Sequence, residues 1–256
     1  MSKQVKLIIW HAIVAGIAFG FWLDVSKWFQ ALALEKGFTS YGVITFSFLV
    51  SLLALGYLLF SEKWIVFSMA GIVTVAFLWN FGWSELYLIG LLIMFLTSLR
   101  SHSEVTKELN ERTKIDTQAI LRRGVWPLIL GLFVMLSFAA YQSPGLEKFG
   151  KIDQLPSQTE HYIKLVAENT VGHKLEGSEK EKQLMINQIS AEAYKQINNA
   201  AKPYFKYAPP LLAFTLFLIL WSLGWIFIWT SIGAGMLSFL ILKKVKFVEI
   251  DEKDVK

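Results

Sequence analysis

Charged residues fall along this chain in blocks rather than on faces. Six stretches contain no Asp, Glu, Lys or Arg: 7–23, 41–60, 64–80, 86–99, 124–141 and 207–242. Apolar blocks of this length predict membrane-crossing helices, because a charge at the bilayer centre is costly. Residues 7–23 follow Lys3 and Lys6 and predict a first span that is retained. Ala31-Leu32-Ala33 has the spacing of a signal-peptidase site, but Trp28 and Phe29 stand where a short polar region would precede cleavage. Val25, Trp28, Phe29 and Leu32 recur at i, i+3, i+4 and i+7, which predicts a short interfacial helix near 25–36.

Only Ser61-Glu62-Lys63 separates 41–60 from 64–80, so these two spans form a tight hairpin. Trp64 precedes Trp79 and Trp83 by about 22–28 Å of helix at 1.5 Å per residue, close to the hydrocarbon thickness, and the three indoles mark the two interfaces. The segment 80–85 turns the chain into a short fourth span, 86–99. In the polar stretch 100–123, Ser101 and Glu104 have capping-box spacing and Glu108 and Arg112 are at i, i+4, which predicts a solvated helical connector. A fifth span, 124–141, opens on Trp126-Pro127, with the proline expected in the first turn.

The segment 142–206 is the one sizeable extramembrane region. Ser157 with Glu160 predicts one helix ending near Gly172, and Ser178 with Glu181 a second that stops before Pro203. Ile186, Ile189, Ala193 and Ile197 line one face of that second helix, so 178–201 is the expected contact surface for a protein partner. The last apolar stretch, 207–242, is too long for one span: Leu211 to Leu242 as a single helix would reach about 48 Å against about 30 Å of hydrocarbon. A hairpin turning near Ser222-Leu223-Gly224 buries it all and sets Trp221 and Trp225 at an interface. That gives seven spans, with six as the alternative if 207–242 crosses once. The tail 243–256 alternates weakly as a strand would through Val245, Phe247 and Ile250, and docks on the 142–206 module if both lie on one face.

Composition agrees with this pattern: 54% of the 256 residues are hydrophobic and 18% charged, with mean hydropathy +0.46. The net charge of +5 comes with four arginines, Arg100, Arg112, Arg122 and Arg123, all in one stretch, and with no basic block interleaved with aromatics. Nucleic acid is therefore not an expected partner. There is no cysteine, which excludes thiol chemistry, disulfides and Cys-held metals. Basic residues near the spans divide without bias in the seven-span arrangement; with six spans they divide fourteen to seven in favour of the N-terminal side, which would then face the cytoplasm. Burial of the apolar residues 235–240 weighs for seven.

Candidate chemistry is sparse. His11 is the one ionisable side chain inside an apolar run, an intramembrane polar site by default, but Lys6 and Trp10 place it near an interface, where a helix-contact role is the stronger reading. His102, His161 and His173 make no i, i+4 ligand pair, so no metal or other cofactor is expected. Glycine-rich phosphate loops, nucleophile elbows and paired intramembrane carboxylates are all missing from the sequence, so catalysis is not expected. Ala12, Gly16 and Gly20 form a small-xxx-small line suited to close helix packing within the bundle, with oligomerisation as the alternative. The expected molecule is an all-α multi-pass protein of the cell membrane: five spans in 1–141, a helical module, a 207–242 hairpin or single span, and a charged tail. It would act as a non-catalytic anchor or complex subunit, or alternatively carry a neutral or apolar solute.

Overall fold

The computed structural model describes residues 2–30, 40–60, 62–111, 116–144, 146, 157–171 and 179–247; nearly all are helical and none is in a strand. Seven of the described helices are long and apolar enough to cross a membrane. The chain divides into two compact units, one of residues 1–145 with 213–256 and one of 146–212.

The first unit holds α1 (Lys3–Gln30), α2 (Ser40–Leu59), α3 (Lys63–Phe81), α4 (Glu85–Glu111), α5 (Thr117–Tyr141) and, after the second unit, most of α8 (Ala208–Ser222) and α9 (Gly224–Lys244). An aromatic layer joins five of these helices. Phe21 and Trp22 of α1 meet Phe46 of α2 and Phe77 of α3, and Phe46 meets Phe133 of α5 and Phe227 of α9, all at centroid distances of 4.9–5.6 Å. Hydroxyl bonds add to this packing. Ser47 pairs with Thr230 at 2.8 Å, and Ser51 donates to the Ser231 carbonyl at 2.6 Å, tying α2 to α9. Lipid gives helices no hydrophobic reason to associate, so close packing and such bonds carry the interface.

Directions alternate. Lys3 pairs with Glu62 at one end of the bundle, and Phe19 meets Trp79 near the other. Helices α4 and α5 run antiparallel, from Gly90 beside Phe138 through Ser101 beside Gly124 to Glu108 beside Arg123. Helix α9 runs against α5, with Phe227 beside Phe133 and Gly235 beside Leu121. It ends where α1 begins, since the Phe247 ring lies 6.3 Å from Trp10 and 5.7 Å below the Lys6 ammonium. So α1, α3 and α5 point one way and α2, α4 and α9 the other. Residues 207–242 are two helices meeting at Leu223. That residue has φ −86° and ψ 0°, its N–H still donates to Ile219, and Ile226 donates to its carbonyl. One residue this near helical geometry bends the chain but does not reverse it, so the hairpin drawn for this stretch is replaced by a bend. Trp221 packs on Trp126 beside the bend, and Trp225 just after it is exposed.

Several local expectations are corrected. The chain through Asp24–Gln30 continues α1 instead of starting an interfacial helix, and Val25 is buried; the rest of 25–36 lies outside the described residues. The first half of 100–123 is the end of α4, with Ser101, His102, Val105 and Glu108 buried. Helix α5 starts at Thr117, where Asp116 caps it by accepting from the Ala119 N–H at 3.1 Å, so Pro127 sits well inside the helix. Proline there cannot donate to the Arg123 carbonyl. In the same turn the Gly124 carbonyl accepts from the Ser101 hydroxyl at 2.6 Å. The tail begins with a turn and not a strand: Lys246, at φ 57°, lets Phe247 donate to Leu242 and Lys246 to Lys243, a Schellman closure. Replacing Lys246 by glycine removes the Cβ penalty of the left-handed conformation and is expected to stabilise the protein by about 0.5–1 kcal/mol, read from its unfolding midpoint in mixed micelles. The tail beyond 247 is outside the described residues.

The second unit contains α6 (Ser157–Val171), α7 (Glu179–Ala201) and a 3-10 turn, Lys202–Tyr207, entered through Pro203. Among the described residues of these helices, Ala167 of α6 and Ile186 and Ser190 of α7 are buried. Ser178 lies outside the described residues.

Candidate functional site

His11 is held on both sides of its ring. Nδ1 lies 2.8 Å from the Leu7 carbonyl and donates to it in the tautomer that leaves Nε2 to pair with the Ser68 hydroxyl at 2.7 Å. Its ring also stacks on Trp64, 6.3 Å between centroids and 9° between planes. Every polar atom is engaged, and the side chain joins α1 to α3 at the end where Lys3 meets Glu62. Lys3 holds the Glu62 carboxyl below its ordinary range by a hydrogen bond. A depressed carboxyl contributes stability above its unfolded pKa and loses it as pH falls through the folded value, so this tie weakens in acid.

The Ala12, Gly16 and Gly20 line does not pack inside the bundle. A Cβ added at Gly16 or Gly20 would meet nothing within 4 Å, and Ala12 is exposed, because the buried face of α1 is Trp10, Val14, Phe21, Trp22 and Val25. The glycines that permit close approach are elsewhere. At Gly131 a Cβ would overlap Thr97 and come within 3.1 Å of the Met94 Cα, and at Gly124 it would overlap Val105. Gly124 and Gly131 are two helical turns apart on the α5 face that meets α4, a spacing visible in the sequence but hidden by reading 100–123 as a connector. Gly131→Ala is expected to destabilise by about 1–3 kcal/mol, as overpacking does. Gly16→Ala should instead be neutral or gain up to about 1 kcal/mol of helix propensity. Unfolding midpoints of the two variants in mixed micelles compare them directly.

Of the interface tryptophans, Trp64, Trp79 and Trp83 are all exposed, the first at the start of α3 and the others at and beyond its end. Lipid-facing indoles at the two ends of one span are where the headgroup levels favour them. Exposed apolar side chains continue along α4 (Leu88, Leu92, Leu96) and α9 (Trp229, Leu237, Leu240).

In the module, the stripe proposed for a partner is divided. Ile186 is buried, Ala193 is half-buried, and Ile189 and Ile197 are 41% and 46% exposed. Met185 of α7 and Tyr162 and Val166 of α6 are exposed as well.

The densest polar chemistry inside the bundle was missed by sequence reading. Helix α4 buries Ser98, Ser101, His102 and Glu108. Arg123 of α5 reaches Glu108 at 2.7 Å and Glu111 at 3.7 Å. The Tyr57 ring of α2 meets His102 edge-on at 5.8 Å. These side chains can donate, accept and hold a proton. Among the described residues, no three His, Asp or Glu side chains stand close enough together to hold a metal ion.

No protein-family profile matches the chain, and neither the curated proteins nor the solved structures contain a match.

Proposed function

We propose that this is a multi-pass protein of the cell membrane that serves as a non-catalytic anchor or complex subunit, displaying the α6–α7 module to a protein partner. The observation that carries this reading is the exposure of Ile189 and Ile197 on α7, beside the buried Ile186 and Ser190. A pair of helices with so small a core leaves apolar surface that a partner would cover. Charge supports an orientation: if 207–242 crosses once, fourteen basic residues of the sequence fall in the segments on the N-terminal side and seven in the others. The first end is then cytoplasmic.

A photo-crosslinking residue at position 189, in intact cells, should capture one protein reproducibly. Ile197→Asp in the same chain should lower that capture at least tenfold while leaving the helical content of the purified protein unchanged. Equal capture with and without Ile197→Asp would refute the docking face. A second reading, passage of a neutral solute, is favoured by the polar interior of α4. Flux into liposomes holding the purified protein alone would support it over the anchor reading.

A further inference from the structure

Lysines at the end of the bundle that carries the N-terminus are of two kinds. Lys3 is paired with the Glu62 carboxylate. Lys6, Lys243, Lys244 and Lys246 have no carboxylate against them among the described residues. Lys6 is half-buried, with its ammonium 5.7 Å from the centre of the Phe247 ring, and that ring lies beside Trp10. A ring face attracts the charge but leaves the three N–H groups with no oxygen to donate to. Lys246 is the residue before Phe247, and the closure that brings Phe247 to Trp10 holds Lys246 at φ 57°. Glycine would adopt that conformation at less cost, so what lysine supplies there is its ammonium. Farther from this end, both helices present bare apolar surface. Ile9 and Ile13 follow Lys6 at i+3 and i+7 on α1, and Ile241 and Leu237 precede Val245 by one and two turns on α9; all five apolar side chains are exposed. Each run is about 10–12 Å long at 1.5 Å per residue.

We propose that Lys6 and Lys246, beside the Phe247 ring, hold the headgroup phosphate of an anionic phospholipid whose acyl chains lie along Ile9 and Ile13 of α1 and Leu237 and Ile241 of α9. Charge complementarity selects this occupant. A phosphate supplies the oxygens that the open ammonium donors lack, and Lys243 and Lys244 in the last turn of α9 add to the same positive field. A zwitterionic headgroup brings its own cation toward these lysines and is disfavoured. All the residues involved belong to the first unit, so the proposal is independent of whether the module docks a partner.

Native mass spectrometry of the full chain in detergent micelles, with added phosphatidylglycerol or phosphatidylcholine of matched acyl chains, tests this. The wild type should retain phosphatidylglycerol about tenfold or more in preference to phosphatidylcholine. Lys246→Gly relieves the left-handed backbone, so it should raise the unfolding midpoint while lowering phosphatidylglycerol retention about fivefold, a combination that misfolding does not produce. Lys6→Gln together with Lys246→Gly should bring the two lipids within about twofold of each other. Lys27→Gln with Lys195→Gln removes the same charge from exposed lysines elsewhere and should leave the preference unchanged. Equal retention of the two lipids by the wild type, or equal losses in the two double variants, would overturn the proposal. Displacement of phosphatidylglycerol by millimolar inorganic phosphate would mark a free-anion site and overturn it as well.

Discussion

Cysteines placed at Gln4 and at Lys244 will react with a membrane-impermeant maleimide from the same face of the membrane, and a cysteine at Glu85 from the opposite face, with at least a tenfold difference in labelling between faces. All three positions are exposed, and the native chain has no thiol to compete. The expectation rests on α9 running against α5 and closing beside the start of α1, where Phe247 lies on Trp10 and under Lys6. Glu85 opens α4 at the other end, next to Ser84, which accepts from Gln142 at the end of α5. Labelling of Lys244 together with Glu85 would mean that 207–242 crosses twice and would reverse the assignment. In whole cells the charge distribution adds that Glu85 alone is labelled.

Arg123→Met is expected to cost about 3 kcal/mol of stability, and Glu108→Gln only about 1 kcal/mol, although both break the same 2.7 Å pair. The asymmetry comes from burial: the Glu108 side chain is 2% exposed and that of Arg123 47%. Without Arg123, a carboxylate loses an ionic partner in a place that water does not reach. Without the Glu108 charge, the guanidinium turns to water and to Glu111. The double variant Glu108→Leu with Arg123→Met should recover much of the loss, because an apolar pair leaves no buried charge. Unfolding in mixed micelles across this cycle gives the coupling; equal losses from the two single variants would contradict the burial argument.

The spans of α1, α2, α3 and α9 were legible because the bilayer acts on each stretch separately, and a run without charges is its own evidence. The exposure of Trp64 and Trp79 at the two ends of α3 agrees with the expectation of interfacial indoles, which needs no tertiary partner. Ser98, Ser101, His102 and Glu108 were not legible. A polar residue facing a helix neighbour and one facing water are the same residue in a sequence, and only the presence of Tyr57, Gly124 and Arg123 opposite tells them apart. The glycines divide likewise. Gly16 and Gly20 have the packing spacing but open space above them, while Gly131 has Met94 and Thr97 against it. The amino-acid sequence by itself determined that the chain carries multiple membrane-length apolar helices and where most of them lie, because each depends on the free energy of transferring one segment. Which α1 face is covered, what lies against α4 and which way α9 runs were decided by the tertiary structure, because they depend on contacts between segments far apart in the chain.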